Sequence, residues 1–361
     1  MQIMNLKERI KSFAVLGEIL RNVINGISGK YGEQFNALID NQYKLNPWFT
    51  PENVRTAVKA IACELTKENL IKWTNAYPEL KKNNTKVKAG LIMAGNIPLA
   101  GFHDYLSVLI SGNKLIAKTS SKDSELIVCI SDILFKINPE FKDQVEFTEG
   151  ILSDFDVVIA TGSDNSSRYF EYYFGKYPNI IRKNRNSIAI LDGIETDAEL
   201  ESLGTDIFSY FGLGCRNVSK IYLPKGYDLT AMIRNWDAYS GIIKHVKYAN
   251  NYDFNKAVYT VNKEIFHDTG YLLLKEDRGL SSPVSVLYYE FYDSQTAVKQ
   301  QTEQLKGKLQ CVVGKHYIGF GKAQSPNLWD YADEIDTIEF LLKKKLPEYC
   351  NLKNIILHPL N

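Results

Sequence analysis

Short apolar segments alternate with amphipathic ones through this chain, and the alternation restricts the fold more than any other feature. VKAGLIMAG is typical of a buried strand, IPLAGFHDYLSVLISG of a helix that ends at Gly112, and NKLIAKTS of a second strand. SELIVCISDILFKI predicts a further helix, and SDFDVVIATGS predicts a strand that ends in a Gly-Ser turn. Strands that alternate with helices form parallel sheets with crossover connections, so we predict a doubly wound α/β fold.

A helical region precedes these alternating strands and helices. A second series of strands and helices begins after residue 178. Residues 5–80 contain four helix-like segments, and Thr50 and Thr66 supply cap-like starts for two of them. After Pro178, NSIAILDG predicts a strand, DAELESLGTDIFSYF an amphipathic helix and VSKIYLPKG another strand. We therefore expect a domain boundary near residues 178–187.

Length and charge exclude several classes of protein. The 361 residues correspond to about two domains, and 45% hydrophobic with 24% charged residues is an ordinary globular composition. Lys and Arg total 43 against 42 Asp and Glu, so no global field attracts nucleic acid or an anionic membrane. The N-terminus lacks a signal-peptide core and no apolar run reaches the length of a membrane span, so we expect a cytoplasmic protein without membrane insertion.

Cys215 is the candidate nucleophile. It lies in the segment FGLGCRNVSKIYL, a glycine-bracketed turn between a predicted helix and a predicted strand. Glycines let a backbone approach a ligand closely and leave the sulfur accessible. The alternative, a small apolar filler, is the expected role of the other four cysteines. Cysteines and histidines both lack metal-ligand spacing, so we expect neither a disulfide framework nor a metal site.

Several ordered motifs resemble those of one superfamily. MAGNIPLAGFHDYLSVLISGNKLIAKTSSKD, IATGSDNSSRYF and FGLGCRNVSK are similar to segments of the aldehyde dehydrogenase superfamily, and GFGKAQSPNLWDYADEIDT is typical of its reductase branch. The chain resembles the LuxC-type acyl-CoA reductases over roughly residues 85–340. The resemblance implies an aldehyde dehydrogenase-like fold: a helical N-terminal segment, a doubly wound cofactor-binding domain and an α/β catalytic domain.

The resemblance also implies roles for individual residues. Cys215 matches the nucleophile and Asn96 the amide that helps to bind the oxyanion. Lys118 matches a lysine that touches the adenosine ribose, and Gly162 with Ser163 matches the turn that approaches the pyrophosphate. A thiolate that attacks an acyl carbon and an amide N–H that stabilises the developing charge are chemically consistent. For Asn96, a turn residue that bonds its own backbone before a proline is the structural alternative.

One departure from the superfamily pattern favours a reductase. Ordinary aldehyde dehydrogenases carry a water-activating glutamate just before the strand that matches NSIAIL, and here Arg182 falls about there. An acyl-cysteine that is not hydrolysed can exchange with a thiol or accept hydride. Glu171 and Glu195 remain open as replacements for that glutamate.

A second departure concerns the cofactor. NAD-preferring relatives often follow the lysine with a glutamate that binds both ribose hydroxyls, whereas this chain continues from Lys118 to Ser121 and Lys122. The missing acid and the added lysine suit a 2′-phosphate, so we expect NADPH over NADH, with a polar strand-end loop as the alternative. The nearest counterpart of the acid that holds the nicotinamide ribose is Glu276.

The resemblance implies a cofactor (NADPH)-binding domain at residues 1–184, a catalytic domain at 185–335 and a segment at 336–361 that packs back. It implies NADPH-dependent reduction of an acyl-CoA thioester, with a fatty acyl chain, to the aldehyde through an S-acyl cysteine. The rival interpretations are a CoA-acylating aldehyde dehydrogenase that works in the oxidative direction and a non-catalytic NADPH-binding partner or sensor.

Three further points stay open at this level. The acyl donor is CoA, a carrier protein or an acyl-transferring protein partner. The oligomeric state is undecided, although the short KKNNTK connection favours a monomer or an assembly different from that of typical relatives. Arg182 and Arg216 are the cations that could stabilise a thiolate, and His245 and His316 are the candidate proton donors.

Overall fold

Four amphipathic helices open the chain. The computed structural model describes residues 4–27, 29, 31–82 and 87–343. Asn5 and Glu8 form a capping box that starts the first helix, and the hydroxyls of Thr50 and Thr66 cap the third and fourth. The apolar faces of these helices join one core with the first sheet. The helices are α1 Leu6–Ile24, α2 Gly32–Asn41, α3 Pro51–Glu64 and α4 Lys67–Asn75.

The first sheet has five parallel strands in the order β3-β2-β1-β4-β5. Its central strands are continuous apolar runs, because helices cover both faces of such a sheet. The strands and their helices are β1 Lys88–Ile92, α5 Phe102–Ile110, β2 Lys114–Lys118, α6 Glu125–Ile137, β3 Val145–Thr148, β4 Val157–Thr161, α7 Asp164–Phe174 and β5 Asn179–Arg182. The carboxyl ends of all five strands lie at one edge.

The second sheet has six strands in the order β11-β6-β7-β10-β9-β8, and all pairs are parallel except β8 with β9. Its core is separate from that of the first sheet. The elements are β6 Asn186–Ile190, α8 Asp197–Phe208, β7 Val218–Pro224, α9 Leu229–Arg234, α10 Val246–Val261, β8 His267–Asp268, β9 Leu273–Glu276, β10 Val286–Tyr292, α11 Gln295–Gln304 and β11 Leu309–Val313.

The chain passes once from the first sheet to the second and then returns. The crossing occupies residues 183–185, between β5 and β6. After β11 the chain returns to the first sheet. Leu328 already belongs to the first core, so the return begins before residue 336, where the packing segment was predicted to start. The last described helix, α12 Thr337–Lys343, packs on α5. Residues 344–361 and 83–86, which include most of the KKNNTK connection, lie outside the described residues. The predicted α/β fold class with a helical N-terminal region is confirmed.

Within the described ranges, none of the helices has the length and apolarity to cross a membrane. Nor do those ranges hold a group of three or more His, Cys, Asp or Glu side chains placed to bind a metal ion.

Candidate active site

A cavity of about 280 Å³ lies between the two sheets, and it contains both residues predicted to act on the acyl group. Asn96 reaches it from the carboxyl edge of the first sheet and Cys215 from the amino edge of the second. Helices α3 and α5 supply much of the wall. Its lining includes Ala57, Ile61, Leu65, Asn96, Phe102, Leu106, Arg182, Cys215, Leu328 and Asp333. The fold therefore brings together two residues that are 119 positions apart in the sequence.

The turn that carries Cys215 is tight and strained. Between the end of α8 and the start of β7, Tyr210 and Phe211 both adopt positive φ, at 51° and 59°, and Gly212 follows at 76°. Non-glycine residues in this region cost roughly 1–2 kcal/mol each, because the Cβ approaches the following carbonyl oxygen. Packing around the turn must hold this conformation. Phe211 packs on Trp48 and on the ring of His245.

Asn217 is the residue that holds the turn. Its side chain is buried, and its Nδ2 donates to the carbonyl of Ser209 at 2.8 Å and to that of Asp206 at 3.1 Å. Its Oδ1 accepts from the N–H of Gly214 at 2.8 Å. One amide thus ties the end of α8 to the residue just before Cys215. We did not predict this role, although Asn217 belongs to the Gly-Cys-Arg-Asn motif.

Asn96 contacts the cysteine turn directly. Its Nδ2 donates to the carbonyl of Leu213 at 2.9 Å, two residues before Cys215. The alternative was that the side-chain amide of Asn96 bonds its own backbone. Its Nδ2 atom bonds the cysteine turn instead. The side chain is exposed to the cavity, and the amide has a second N–H.

Asp123 supports the turn that contains Asn96. Its Oδ2 accepts from the N–H of Leu99 at 2.6 Å, and Leu99 has a positive φ of 58°. The carboxylate is buried, and burial raises the pKa of Asp123 to about 7. Sequence analysis missed this residue, because an aspartate after a run of serines and a lysine is typical of an exposed loop.

Burial dominates the electrostatics of the thiol. It raises the pKa of Cys215, and Asp333 adds to the rise, while the backbone N–H and the charge of Arg185 act in the opposite direction. The cation that acts on the sulfur is therefore Arg185. Arg216, named from the sequence, instead donates its Nε to the carbonyl of Ala323.

Arg182, the other cation named from the sequence, is a structural residue. Its buried guanidinium forms an ion pair with Asp104 at 2.7 Å and donates to the hydroxyl of Thr337 at 2.9 Å and to the carbonyl of Ala332. Burial alone would raise the pKa of Asp104, but Arg182 outweighs it and the pKa lies below its ordinary value. Arg182 thus joins α5 to the chain that returns from β11.

Neither glutamate left open as a base lies in the cavity. Glu171 forms an ion pair with Lys183 at 2.7 Å on the exposed side of α7. Glu195 accepts from the N–H of Asp192 beyond the carboxyl end of β6. The carboxyl groups that do line the cavity with Cys215 are those of Glu64, Asp104, Asp330 and Asp333, none of which sequence analysis identified.

The two histidines considered as proton donors are engaged elsewhere. The Nε2 of His245 donates to the carbonyl of Pro47 at 2.9 Å, and its ring stacks on Trp48. His316 is 81% exposed and faces Asp192 at 3.7 Å. Neither side chain lines the cavity.

The residues predicted to bind the cofactor lie at the carboxyl edge of the first sheet. Lys118 ends β2, and its Nζ donates to the carbonyl of Gly150 at 2.7 Å. Ser121 and Lys122 follow on an exposed turn. Gly162 and Ser163 connect β4 to α7, where the hydroxyl of Ser163 caps the helix.

Only glycine fits at position 162. A Cβ built there would lie 2.8 Å from the ring of Phe170 and 2.8 Å from the Cβ of Ser166. The absence of a side chain lets the turn between β4 and the eleven-residue helix α7 pack closely against that helix. The N–H groups at a helix amino end, together with the helix dipole, attract phosphate groups.

Glu276 is not brought to this site. It is the last residue of β9, whereas Cys215 precedes the first residue of β7 in the same sheet. Strands β9, β10 and β7 run parallel, so the two residues lie at opposite edges.

The fold and this cleft define the chain as a protein of the aldehyde dehydrogenase-like class. An aldehyde dehydrogenase of Mycobacterium tuberculosis, solved with NAD+, is similar with a TM-score of 0.60 and 13% identity over 86% of this chain and 73% of that one. An oxidoreductase of Marinobacter aquaeolei is similar with a TM-score of 0.61 and 10% identity over 87% and 74%.

The family follows from the sequence match. The model of the family described as acyl-CoA reductase (LuxC) matches residues 24–234, and the chain belongs to this family. A long-chain acyl-protein thioester reductase of Aliivibrio fischeri is 24% identical over 52% of this chain and 42% of its own length. One of Photobacterium leiognathi is 26% identical over 38% and 32%. The chain thus matches less than half the length of these relatives.

Proposed function

We propose that this protein reduces a fatty acyl thioester to the aldehyde through an S-acyl intermediate on Cys215, with NADPH as the reductant. The observation that carries the proposal is the meeting of Cys215 and Asn96 in one cavity of a LuxC-family chain. The relatives named above as thioester reductases support the substrate class.

The thiolate of Cys215 attacks the thioester carbonyl, and negative charge develops on the carbonyl oxygen. The free N–H of the Asn96 amide and the backbone N–H of Cys215 are the donors available to that oxygen. Loss of one such donor costs about 2.7–4 kcal/mol in comparable sites.

The cavity wall suits an acyl chain. Ala57 and Ile61 of α3 face Phe102 and Leu106 of α5, and apolar surface predominates around them. An apolar wall with a few polar groups at one end orients a chain so that its reactive end reaches the polar groups. In this arrangement the acyl tail lies between α3 and α5 and the thioester lies at Cys215.

The carboxyl edge of the first sheet fits a dinucleotide. Gly162 and Ser163 lead into the amino end of α7, whose N–H groups suit a pyrophosphate, and Lys118 and Lys122 supply positive charge at the same edge of the sheet. When bound, NADPH supplies the hydride that reduces the acyl carbonyl. The side chains after Lys118 carry no acid before Asp123, which is buried, so no exposed carboxylate there repels a 2′-phosphate.

Arg182 cannot take the part of a water-activating glutamate. It occupies the place that the superfamily pattern gives to the water-activating glutamate, and its guanidinium is engaged by Asp104. A group that remains cationic cannot take a proton from water.

The acyl intermediate can be tested by mass spectrometry. Incubation of the full-length protein with decanoyl-CoA, without cofactor, is expected to add a decanoyl group to the Cys215 peptide, because the sulfur then keeps the acyl group. Cys215→Ala should show no adduct, and Cys63→Ala, at an exposed cysteine outside the cavity, should show the normal adduct. An unmodified wild-type Cys215 across a panel of acyl thioesters contradicts the proposal.

The cofactor preference has its own measurement. We expect kcat/KM to be higher with NADPH than with NADH. Lys122→Glu should reduce the ratio of the two kcat/KM values by at least about fivefold, because one charge contact to an exposed phosphate is worth about 1 kcal/mol. Lys114→Glu, at an exposed lysine at the opposite end of β2, is the matched control. Equal or better efficiency of the wild type with NADH is the contrary result.

A further inference from the structure

Four carboxyl groups line the cavity with Cys215, those of Glu64, Asp104, Asp330 and Asp333. Among them, Asp333 is the one whose charge acts on the Cys215 thiol. Asp333 lies on residues 326–337, called here the return segment, which closes one side of the cavity. The sequence PNLWDYADEIDT falls here, in the stretch typical of the reductase branch, and the chemistry described so far gives it no role.

The return segment is fastened on both sides of Asp333. The carbonyl of Leu328 accepts from Nε2 of His103 at 2.9 Å, and the hydroxyl of Tyr331 accepts from Nε1 of Trp73 at 2.7 Å. On the other side, Thr337 bonds to Arg182. The segment is therefore held firmly against α4 and α5.

Asp333 itself is held in an unfavourable backbone conformation. Its φ is 59° and that of Glu334 is 57°, both in the left-handed region. Such residues persist only where their surroundings enforce the conformation, and they cluster at functional sites. The conformation turns the Asp333 side chain inward, where 8% of it is exposed, while 67% of the Glu334 side chain is exposed.

Asp333 and Cys215 line the same cavity, and one arginine acts on both groups. Oδ1 of Asp333 lies 3.1 Å from Nε of Arg185, and Arg185 also lowers the pKa of the Cys215 thiol. The guanidinium is fixed from the far side by the carbonyl of Leu309 at 3.1 Å. The charged groups that act on Asp333 are Arg182, Arg185 and Asp104.

We propose that Asp333 is the acid–base group of the acylation step, taking the proton of the Cys215 thiol and delivering it to the departing thiolate. This inference rests on the proposed function. As the sulfur bonds to the acyl carbon, the thiol proton passes to the Asp333 carboxylate. As the bond from that carbon to the donor sulfur breaks, the same proton passes to the donor, which leaves as a thiol. No net proton, oxidant or reductant is consumed.

The electrostatics suit this exchange. Burial raises the pKa of both Cys215 and Asp333, so the thiol needs a base and the carboxylate has become a better one. Two nearby arginines lower the pKa of Asp333 without cancelling the effect of burial. A general base is most effective when its pKa lies close to the working pH, and the pKa of an exposed carboxylate lies well below neutral pH.

The test compares two reactions of the same sulfur in full-length protein. Asp333→Asn should slow acylation by decanoyl-CoA at neutral pH by about 100- to 10,000-fold, and the rate should recover as rising pH ionises the thiol. Iodoacetamide needs only the thiolate, and removal of a nearby negative charge favours the thiolate. Its reaction at the Cys215 peptide should therefore be unchanged or faster in the same variant.

Glu334→Gln is the matched control, because it removes a neighbouring carboxylate that shares the backbone conformation but faces away from the cavity; its acylation rate should equal that of the wild type. If both reactions of Asp333→Asn slow in parallel, or its acylation stays within about threefold of the wild type, Asp333 is not the acid–base group. Acylation of the wild type separates this outcome from failure of the proposed function, since an unreactive wild type overturns both.

Discussion

The turn that carries Cys215 and the return segment wall the same cavity, and each places two consecutive non-glycine residues in the left-handed region. Tyr210 and Phe211 do so before the cysteine, and Asp333 and Glu334 do so opposite it. The difference lies in what holds each conformation. The hydrogen bonds of Asn217 that hold the cysteine turn span at most 11 positions, and Phe211 adds packing on Trp48 and His245. The return segment is held mainly by residues 148 to 259 positions away.

This difference separates two ways to build a site. Hydrogen bonds between residues that are close in sequence appear there as a compact motif. Such a motif can position a nucleophile with few contacts to the rest of the chain. Contacts between residues that are far apart in sequence leave no compact motif. They make the position of Asp333 depend on the stability of the whole first domain. Each variant below removes the contacts that fix one of these two regions, and the variant with the larger expected effect comes first.

The buried ion pair between Asp104 and Arg182 is the strongest hold on the return segment. Asp104→Asn leaves the Arg182 charge buried and unpaired, and removal of one partner of such a pair costs about 3–5 kcal/mol of unfolding free energy. Chemical denaturation measures this loss. Acylation of Cys215 should also slow well below the new unfolding midpoint, because the segment that carries Asp333 is loosened.

The pH dependence of the unfolding free energy tests whether the Asp104–Arg182 ion pair causes this stabilisation. The folded-state pKa of Asp104 lies below its ordinary value of 3.8, so the pair stabilises the fold above that pH and the stabilisation is lost as the pH falls through the folded pKa. The Asn variant should lack this loss. Asp132→Asn, at an exposed aspartate of α6, is the control and should leave stability unchanged. A cost below about 1 kcal/mol for Asp104→Asn would show that the pair is not the main hold.

The hold on the cysteine turn should be smaller in energy and more specific in effect. Asn217→Ala leaves buried carbonyls without a donor, which costs about 1–3 kcal/mol by denaturation. The acylation rate of Cys215 should fall by at least tenfold, because the strained turn relaxes. Asn250→Ala, at an exposed asparagine of α10, should change neither quantity. Normal acylation in a destabilised Asn217→Ala protein would mean that the turn holds itself.

The sequence predicted most of the central strands and missed shorter edge strands. The segments around β1, β2, β4 and β6 carry apolar runs, because both faces of a parallel sheet are covered, and β7 and β10 are largely apolar. Strands β3 and β5 have four residues each and lie at the two edges of their sheet. An edge strand buries less surface, so Val145–Thr148 carries a glutamate and no clear pattern.

The same contrast applies to the site. Cys215 was named because a glycine-bracketed turn marks it, and Asn96 because the family resemblance implies its role; the fold brings both to one cavity. Asp123, Arg185 and Asp333 were not, since an isolated charged residue has no local sign of burial. Arg182 and Arg216 were named as cations near the sulfur because of their sequence positions, and the fold directs both side chains to other partners.

The amino-acid sequence by itself indicated the α/β fold class, most of the central strands and the candidate cysteine, because periodicity and short motifs act over a few neighbouring residues. The tertiary structure alone decided which charged groups surround that cysteine. Arg185 and Asp333 meet beside it only because the chain leaves the second sheet and returns to the first, and the free energy that holds it there comes from contacts between residues far apart in sequence.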